Sequence, residues 1–396
     1  MPRKEQSKMK KVLFVIHSMG FGGAEKSLVN LLHELPTDQY EIDVLLFQEK
    51  GGLLPQLPKT VHVLQTPAVL RRLYGPLKQA GKYFFPKLIG TALSRAKSKT
   101  PKAAIGARWK KYYSKRIGML EKTYDVAVAY VAGEMLYYVA EKVSAKRKLA
   151  WIHNDYRTAG YAKEYDAPYL AQMDGIVSVS EKCVQVLQEE FPHLAEKIHY
   201  IENITSRELV HRQAQKEKPL DFDGTKILSI GRLHPQKGFD LALQAASLLK
   251  QQNFPFQWYI LGMGTELSAL EQLRRQLKVD DCVHFLGTSS NPYPYMACCD
   301  MLAQTSRYEG KSVVLDEAKI LAKPIVVTDY PTAKDQIENG LEGLIVPLTP
   351  QGIAQGIRQM AEDTALRDRI VGYLSENSYG NRDEVEKYIK LLDGIK

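Results

Sequence analysis

The chain has 396 residues, 44% of them hydrophobic and 25% charged, a balance that excludes intrinsic disorder, and no apolar run approaches the ~20 residues needed to span a bilayer. Four cysteines (Cys183, Cys282, Cys298 and Cys299) show no paired metal spacing and suit a reducing compartment, which excludes a disulfide scaffold. Net charge is +9, yet residues 66–122 hold fifteen Lys and Arg against one acid, Glu121, so that segment alone carries +14 and the remainder −5. A local excess of this size implies an anionic partner at that place.

The start, "MPRKEQSKMKKVLFVIHSMGFGG", has a basic head and then an apolar run, but Val12 to Ile16 is too short for a signal peptide and leads into His17 and a glycine turn. The run reads as a first buried strand and the protein as cytoplasmic. Further apolar, β-rich runs follow in order: "IDVLLF", "VHVL", "DVAVAYV", "KLAWIHN", "GIVSVS" and "IHYIEN", then "KILSIGRL", "WYILGMG", "VHFLG", "MLAQTS", "PIVVTD" and "GLIVP". Continuous apolar runs alternating with helical patterns predict parallel sheets covered on both faces, so the expected fold class is α/β. The polar stretch 205–224 reads as a linker between an N-terminal domain, 1–204, and a C-terminal domain, 225–375. Residues 376–396 read as a turn and a terminal helix free to pack back on the first domain. Two such domains facing each other across a cleft would bind ligands at the carboxyl ends of their strands.

Four motifs carry chemistry. In "HSMGFGGAEKS", Gly20, Gly22 and Gly23 either serve a tight turn needing positive φ or let a helix start approach a ligand; the dinucleotide spacing is absent. In "KILSIGRLHPQKGFD", Arg232 offers a planar fork of donors and Lys237 a mobile point charge, and the helix start after Gly238 adds amides, together a cup for a diphosphate. The alternative is two solvated surface cations. In "SRYEGKSVVLDEA", Glu309 in a loop and Glu317 in a helix can accept hydroxyls from two parts of one ligand, or are a solvated acid and a helix acid. His153 closes "KLAWIHN" and either reaches a ligand or is a structural histidine.

From Lys11 to about Leu374, and most weakly over 66–122, the chain resembles the GT-B retaining glycosyltransferases of family 4, the group 1 transferases of bacterial capsule, exopolysaccharide and teichuronic acid synthesis. The motifs match in order: "GGAEKS", "SIGRLHPQKGFD", "ILGMGTELSALE" and "DMLAQTSRYEGKSVVLDEA". The resemblance implies two Rossmann-like domains. Arg232 and Lys237 would bind the donor diphosphate, Glu309 the donor sugar and Glu317 the ribose, with Gly22, Gly23, Gly310, Lys311 and Ser312 also at the donor and His153 near the reacting carbon. It further implies a base pocket around Leu286 to Thr288. Lys311 and Ser312 stand where many members have a bulky apolar residue and a small one, and Ile204 follows Asn203 where glycine is commoner.

The expected activity is retaining transfer from a nucleoside-diphosphate sugar, a UDP-sugar first, to a saccharide or lipid-linked acceptor. No cofactor or metal is expected, since no Asp-x-Asp pair is placed to hold one. Fixed positive charge would stabilise the departing diphosphate. Within 66–122, "LRRLYGPLKQAGKYFFPKLIG" and "RWKKYYSKR" interleave cations with aromatics, which suits peripheral attachment to the inner face of the cell membrane and no nucleic acid. The rivals are a sugar-nucleotide epimerase of the same fold and a non-enzymatic basic docking protein.

Overall fold

Each of the thirteen apolar runs becomes a strand in the computed structural model, which describes residues 9–98, 100–215 and 224–395. The chain divides into two units, Met1–Ile204 with Asp383–Lys396, and Thr205–Arg382.

In the first unit seven parallel strands are ordered β3-β2-β1-β4-β5-β6-β7. They are β1 Lys10–Ile16, β2 Tyr40–Leu46, β3 His62–Leu64, β4 Thr123–Ala129, β5 Ser144–Ile152, β6 Gly175–Ser178 and β7 Ile198–Tyr200. The two-residue period of the pleat sends Leu13 and Val15 into one core and Val12, Phe14 and Ile16 into the other, and all five are buried. A strand covered on both faces has no polar position to spare, which is why β1 reads as an unbroken apolar run.

In the second unit six parallel strands are ordered β10-β9-β8-β11-β12-β13. These are β8 Thr225–Ile230, β9 Phe256–Leu261, β10 Val283–Gly287, β11 Met301–Gln304, β12 Ile325–Thr328 and β13 Leu344–Val346. Again Ile227 and Leu228 of β8 enter opposite cores. The fold is α/β with two doubly wound sheets. In each sheet the strand order turns back at the first strand of the unit, so the switch points lie between β1 and β4 and between β8 and β11. Loops leaving the carboxyl ends at these points are where open α/β sheets bind ligands.

One segment departs from its sequence reading, and a second agrees with it in its helix and departs only in the residues before it. Of the stretch expected to link the domains, residues 205–215 belong to the second unit: Ser206 caps a helix, Arg207–Ala214, whose Val210 is buried with Tyr293 and Ile320. Its one apolar side chain at the right phase anchors an otherwise polar helix, and residues 216–223 lie outside the described residues. The last helix, Val385–Asp393, packs on the first sheet, where Tyr388 stacks on Trp151 at 5.6 Å and donates to the Glu202 carbonyl at 2.8 Å. Asp393 receives Lys10 at 2.7 Å and the Tyr40 hydroxyl at 2.9 Å. Residues 377–382, by contrast, stay with the second unit, where Asn381 accepts the Thr205 amide.

Candidate functional site

At the second unit's switch point the loops after β8 and β11 are stitched together. The turn Pro235–Lys237 ends at Gly238, whose φ of 62° is left-handed and whose missing Cβ would fall 2.1 Å from the Thr305 carbonyl. Only glycine meets both demands. Thr305 Oγ1 donates to the Lys237 carbonyl at 2.9 Å, and the Arg307 amide to the Gln236 carbonyl at 2.7 Å. The approach brings Lys237 Nζ to 2.6 Å from Glu309 Oε1. Gln236 Nε2 reaches the other carboxylate oxygen at 3.3 Å, and Ser306 Oγ also donates to Glu309. Two of the predicted residues, 72 positions apart in the chain, thus form one cluster, with Gln236 and Ser306 as members the sequence reading missed.

Arg232 sits on the same turn with its side chain exposed, and among the described residues it makes no hydrogen bond or ion pair. The turn beneath it is clamped by the loop after β9. A Cβ on Gly262 would lie 1.8 Å from the Gly231 carbonyl and one on Gly264 2.1 Å from that of Leu233. The Gly231 amide bonds Leu261 and the Leu233 amide bonds Met263. The glycines of "ILGMG" therefore hold the Arg232 turn in place, a role the sequence motif does not by itself disclose.

The helix start after Gly238 is less open than expected. Asp240, in its first turn, accepts from its own amide and that of Leu241 and receives the Arg307 fork at 2.8 and 2.7 Å. Burial raises the Asp240 pKa, but the Arg307 guanidinium and the two amides outweigh it and hold the carboxyl below its usual range. The positive helix end is thus already matched by a carboxylate of this chain, as Lys237 is by Glu309, which leaves Arg232 as the exposed cation of this turn.

The residues after Glu309 separate. Ser312 caps the helix Val313–Ile320 and is buried, its hydroxyl donating to Gln304 Oε1 at 2.7 Å and its amide to Gln336 Oε1 at 2.7 Å, so its side chain is occupied. Gly310 and Lys311 lie half-buried in the loop. Glu317 is fully enclosed, with the Tyr293 hydroxyl donating to its Oε1 at 3.0 Å. The structure joins Lys237 to Glu309 but sets Glu317 apart in a buried pair. Leu286, of the expected base pocket, is exposed, and Gly287 beside it has a φ of 73°.

At the first unit's switch point, Gly22 is the N-cap and Gly23 the first residue of the helix Gly23–Glu34. Neither Gly20, Gly22 nor Gly23 has a positive φ, so the tight-turn explanation does not hold. A Cβ on Gly23 would meet nothing within 4 Å. His153, just after β5, has its Nε2 2.9 Å from the Tyr130 carbonyl after β4. A carbonyl only accepts, so Nε2 carries the proton and Nδ1 the lone pair. Burial lowers the pKa of His153 to about 4, against the pull of the Tyr130 carbonyl and Asn203, so the ring is neutral at pH 7. The expected hydrogen-bond donor is therefore spoken for, and Nδ1 is enclosed rather than presented to a ligand.

One polar chain ties these candidates together. The Tyr130 hydroxyl lies 2.9 Å from Ser27 Oγ, which donates to Asn203 Oδ1 at 2.7 Å, and Asn30 donates to the Ile204 carbonyl at 2.8 Å. Ser27 and Asn30 belong to the glycine-turn helix and were not singled out. Also unforeseen is Arg108, which leaves the basic segment to grip the buried Glu134 just beyond β4 at 2.8 and 3.2 Å.

Comparison with known proteins adds the following. Residues 211–376 match the family model described as "Glycosyl transferases group 1". A Campylobacter jejuni "N-acetylgalactosamine-N,N'-diacetylbacillosaminyl-diphospho-undecaprenol 4-alpha-N-acetylgalactosaminyltransferase" is 30% identical over 49% of this chain and 52% of its own length. A second from that organism, "GalNAc-alpha-(1->4)-GalNAc-alpha-(1->3)-diNAcBac-PP-undecaprenol alpha-1,4-N-acetyl-D-galactosaminyltransferase", is 22% identical over 98% of this chain and 99% of its own. The chain spans about half the length of several of the curated relatives it matches. In fold it is similar to Anabaena HepE crystallised with UDP-glucose, at a TM-score of 0.69 and 19% identity over 98% of this chain and 100% of that one.

Proposed function

We propose that this chain, whose residues 211–376 match the model of the glycosyl transferases group 1, is a retaining, metal-independent glycosyltransferase. It takes a hexosyl group from a nucleoside-diphosphate sugar, a UDP-sugar first, and hands it to a saccharide or lipid-linked acceptor at the inner face of the cell membrane. The observation that carries the reading is the second unit's switch point, where an exposed guanidinium and an ammonium share one turn and a carboxylate stands 2.6 Å from the ammonium. Relatives named for undecaprenol-diphosphate acceptors support the lipid-linked class.

The chemistry follows from charge. As the bond from the anomeric carbon to the diphosphate oxygen breaks, the electron pair stays on the diphosphate, and Arg232 and Lys237 stabilise it there. Glu309, held by Gln236 and Ser306 when Lys237 turns to phosphate, accepts a donor-sugar hydroxyl. The acceptor oxygen bonds to the anomeric carbon on the face the diphosphate leaves, and its proton passes to that diphosphate. Charge is thus balanced without a protein nucleophile, and His153, neutral and with its Nε2 proton held by the Tyr130 carbonyl, supplies no proton.

Calorimetry with UDP on the wild type and on the double variant Arg232→Ala, Lys237→Ala tests the grip. Removal of both charges is expected to weaken binding at least 100-fold, about 2.7 kcal/mol. Product analysis by NMR is expected to give the donor's own anomer, unchanged by a chelator. Undiminished UDP affinity, or an inverted product, overturns the reading.

A further inference from the structure

The helix Phe84–Lys97, in the basic segment, is built inside out. It packs inward through small residues: Gly90 and Ser94 are buried, and a Cβ on Gly90 would press the Tyr112 ring at 3.0 Å. Lys87, on the same side, is tied to the Gly75 carbonyl. Its large apolar residues face outward instead, with Phe85 67% exposed, Leu88 45%, Ile89 43% and Leu93 42%. Spaced at i, i+3, i+4 and i+8, these four share one arc, and Ala92 and Ala96 fill it. A surface helix of a soluble protein normally turns such a stripe to the core. A contiguous exposed apolar strip marks a contact surface.

The surroundings decide the occupant. Lys78 and Lys82 precede the strip and Arg95 and Lys97 end it, all exposed. A second copy docking on this strip would set these cations against their own kind. The face fits a surface that offers hydrocarbon at its centre and negative charge around it, which is an anionic phospholipid leaflet. We infer that the Phe84–Lys97 helix lies in the headgroup region of an anionic membrane, with Phe85, Leu88, Ile89 and Leu93 entering the acyl boundary. The later stretch, "RWKKYYSKR", does not share this task as its composition suggested: Trp109 and Tyr113 are core residues and Arg108 is held by Glu134. This inference rests on the peripheral placement proposed above and not on the transfer chemistry.

The test is co-sedimentation with phosphatidylcholine vesicles, with and without phosphatidylglycerol, alongside UDP calorimetry on the same samples. Wild type is expected to bind the anionic vesicles and to leave pure phosphatidylcholine in solution. The triple variant Phe85→Ser, Leu88→Ser, Ile89→Ser should partition at least about tenfold less while keeping its UDP affinity and melting temperature. A second variant, Phe85→Trp, keeps the face apolar and should shift its emission to the blue on anionic vesicles alone. Vesicle binding by the triple variant at the wild-type level, or equal binding to neutral vesicles, overturns the docking helix and leaves the transferase reading standing. So does a wild-type dimer that the triple substitution splits. Loss of UDP binding in the wild type would sink the transferase and leave the docking result to be read by itself.

Discussion

The two units share one plan and load it differently. Each turns its strand order back beside its first strand, and each sends a glycine-bearing turn from that strand's carboxyl end. In the second unit the turn carries Arg232 and Lys237, with Glu309 opposite. In the first it carries no cation, and the nearby titratable group, His153, is kept neutral by burial. The plan supplies a place for a ligand; side chains decide whether that ligand must be charged. In the second unit the turn presents fixed positive charge; in the first it presents none.

The strongest challenge to this contrast is Glu309→Gln. It removes the partner of Lys237 and the acceptor for a sugar hydroxyl, and kcat/KM should fall by about 100-fold or more, with UDP binding changed far less. If UDP binding falls as steeply as turnover, Glu309 serves the diphosphate and not the sugar. Next is a pair of glycine substitutions that should part the two turns. Gly262→Ala places a methyl 1.8 Å from the Gly231 carbonyl, so the backbone under Arg232 must move. A loss of about 2 kcal/mol in chemical denaturation, with weakened UDP binding, is expected. Gly23→Ala meets open space and should unfold like the wild type. Equal destabilisation by both would show that the first turn, too, is a packing device.

The smallest effect concerns His153. Its folded pKa of about 4 lies below the unfolded value of 6.5, so between those values the unfolded chain binds the proton and the native one does not. Stability is whole above pH 6.5 and is lost as pH falls toward 4, by roughly 1–2 kcal/mol once the ring's partial exposure is allowed for. His153→Gln should flatten that part of the melting-temperature profile. An unchanged slope would mean that the ring charges freely in the native state.

What the sequence revealed depended on how local the signal was. All thirteen strands were visible because both faces of each sheet are covered, which writes burial into consecutive letters. Arg232, Lys237 and Glu309 were visible because they stand next to strand ends. Contacts between loops left no local mark: nothing near Asp240 announces that Arg307, sixty-seven positions on, will claim it, nor near Ser312 that Gln304 will. Composition misled at Trp109 and Tyr113, because cations around an aromatic look alike whether the ring faces solvent or core. The Phe84–Lys97 helix had the reverse problem. Its apolar period was plain, but only Gly90 and Ser94 hinted at which side would pack.

The helix Val385–Asp393 has a consequence for how the molecule is made. The strands of the first sheet leave the ribosome before the second unit does, yet the aromatic plate that Tyr388 lays on Trp151 is encoded beyond the whole second unit. Throughout that interval the nascent chain carries an unroofed Trp151 face. Birth order and completion order are therefore crossed: the domain translated first is the last to be finished.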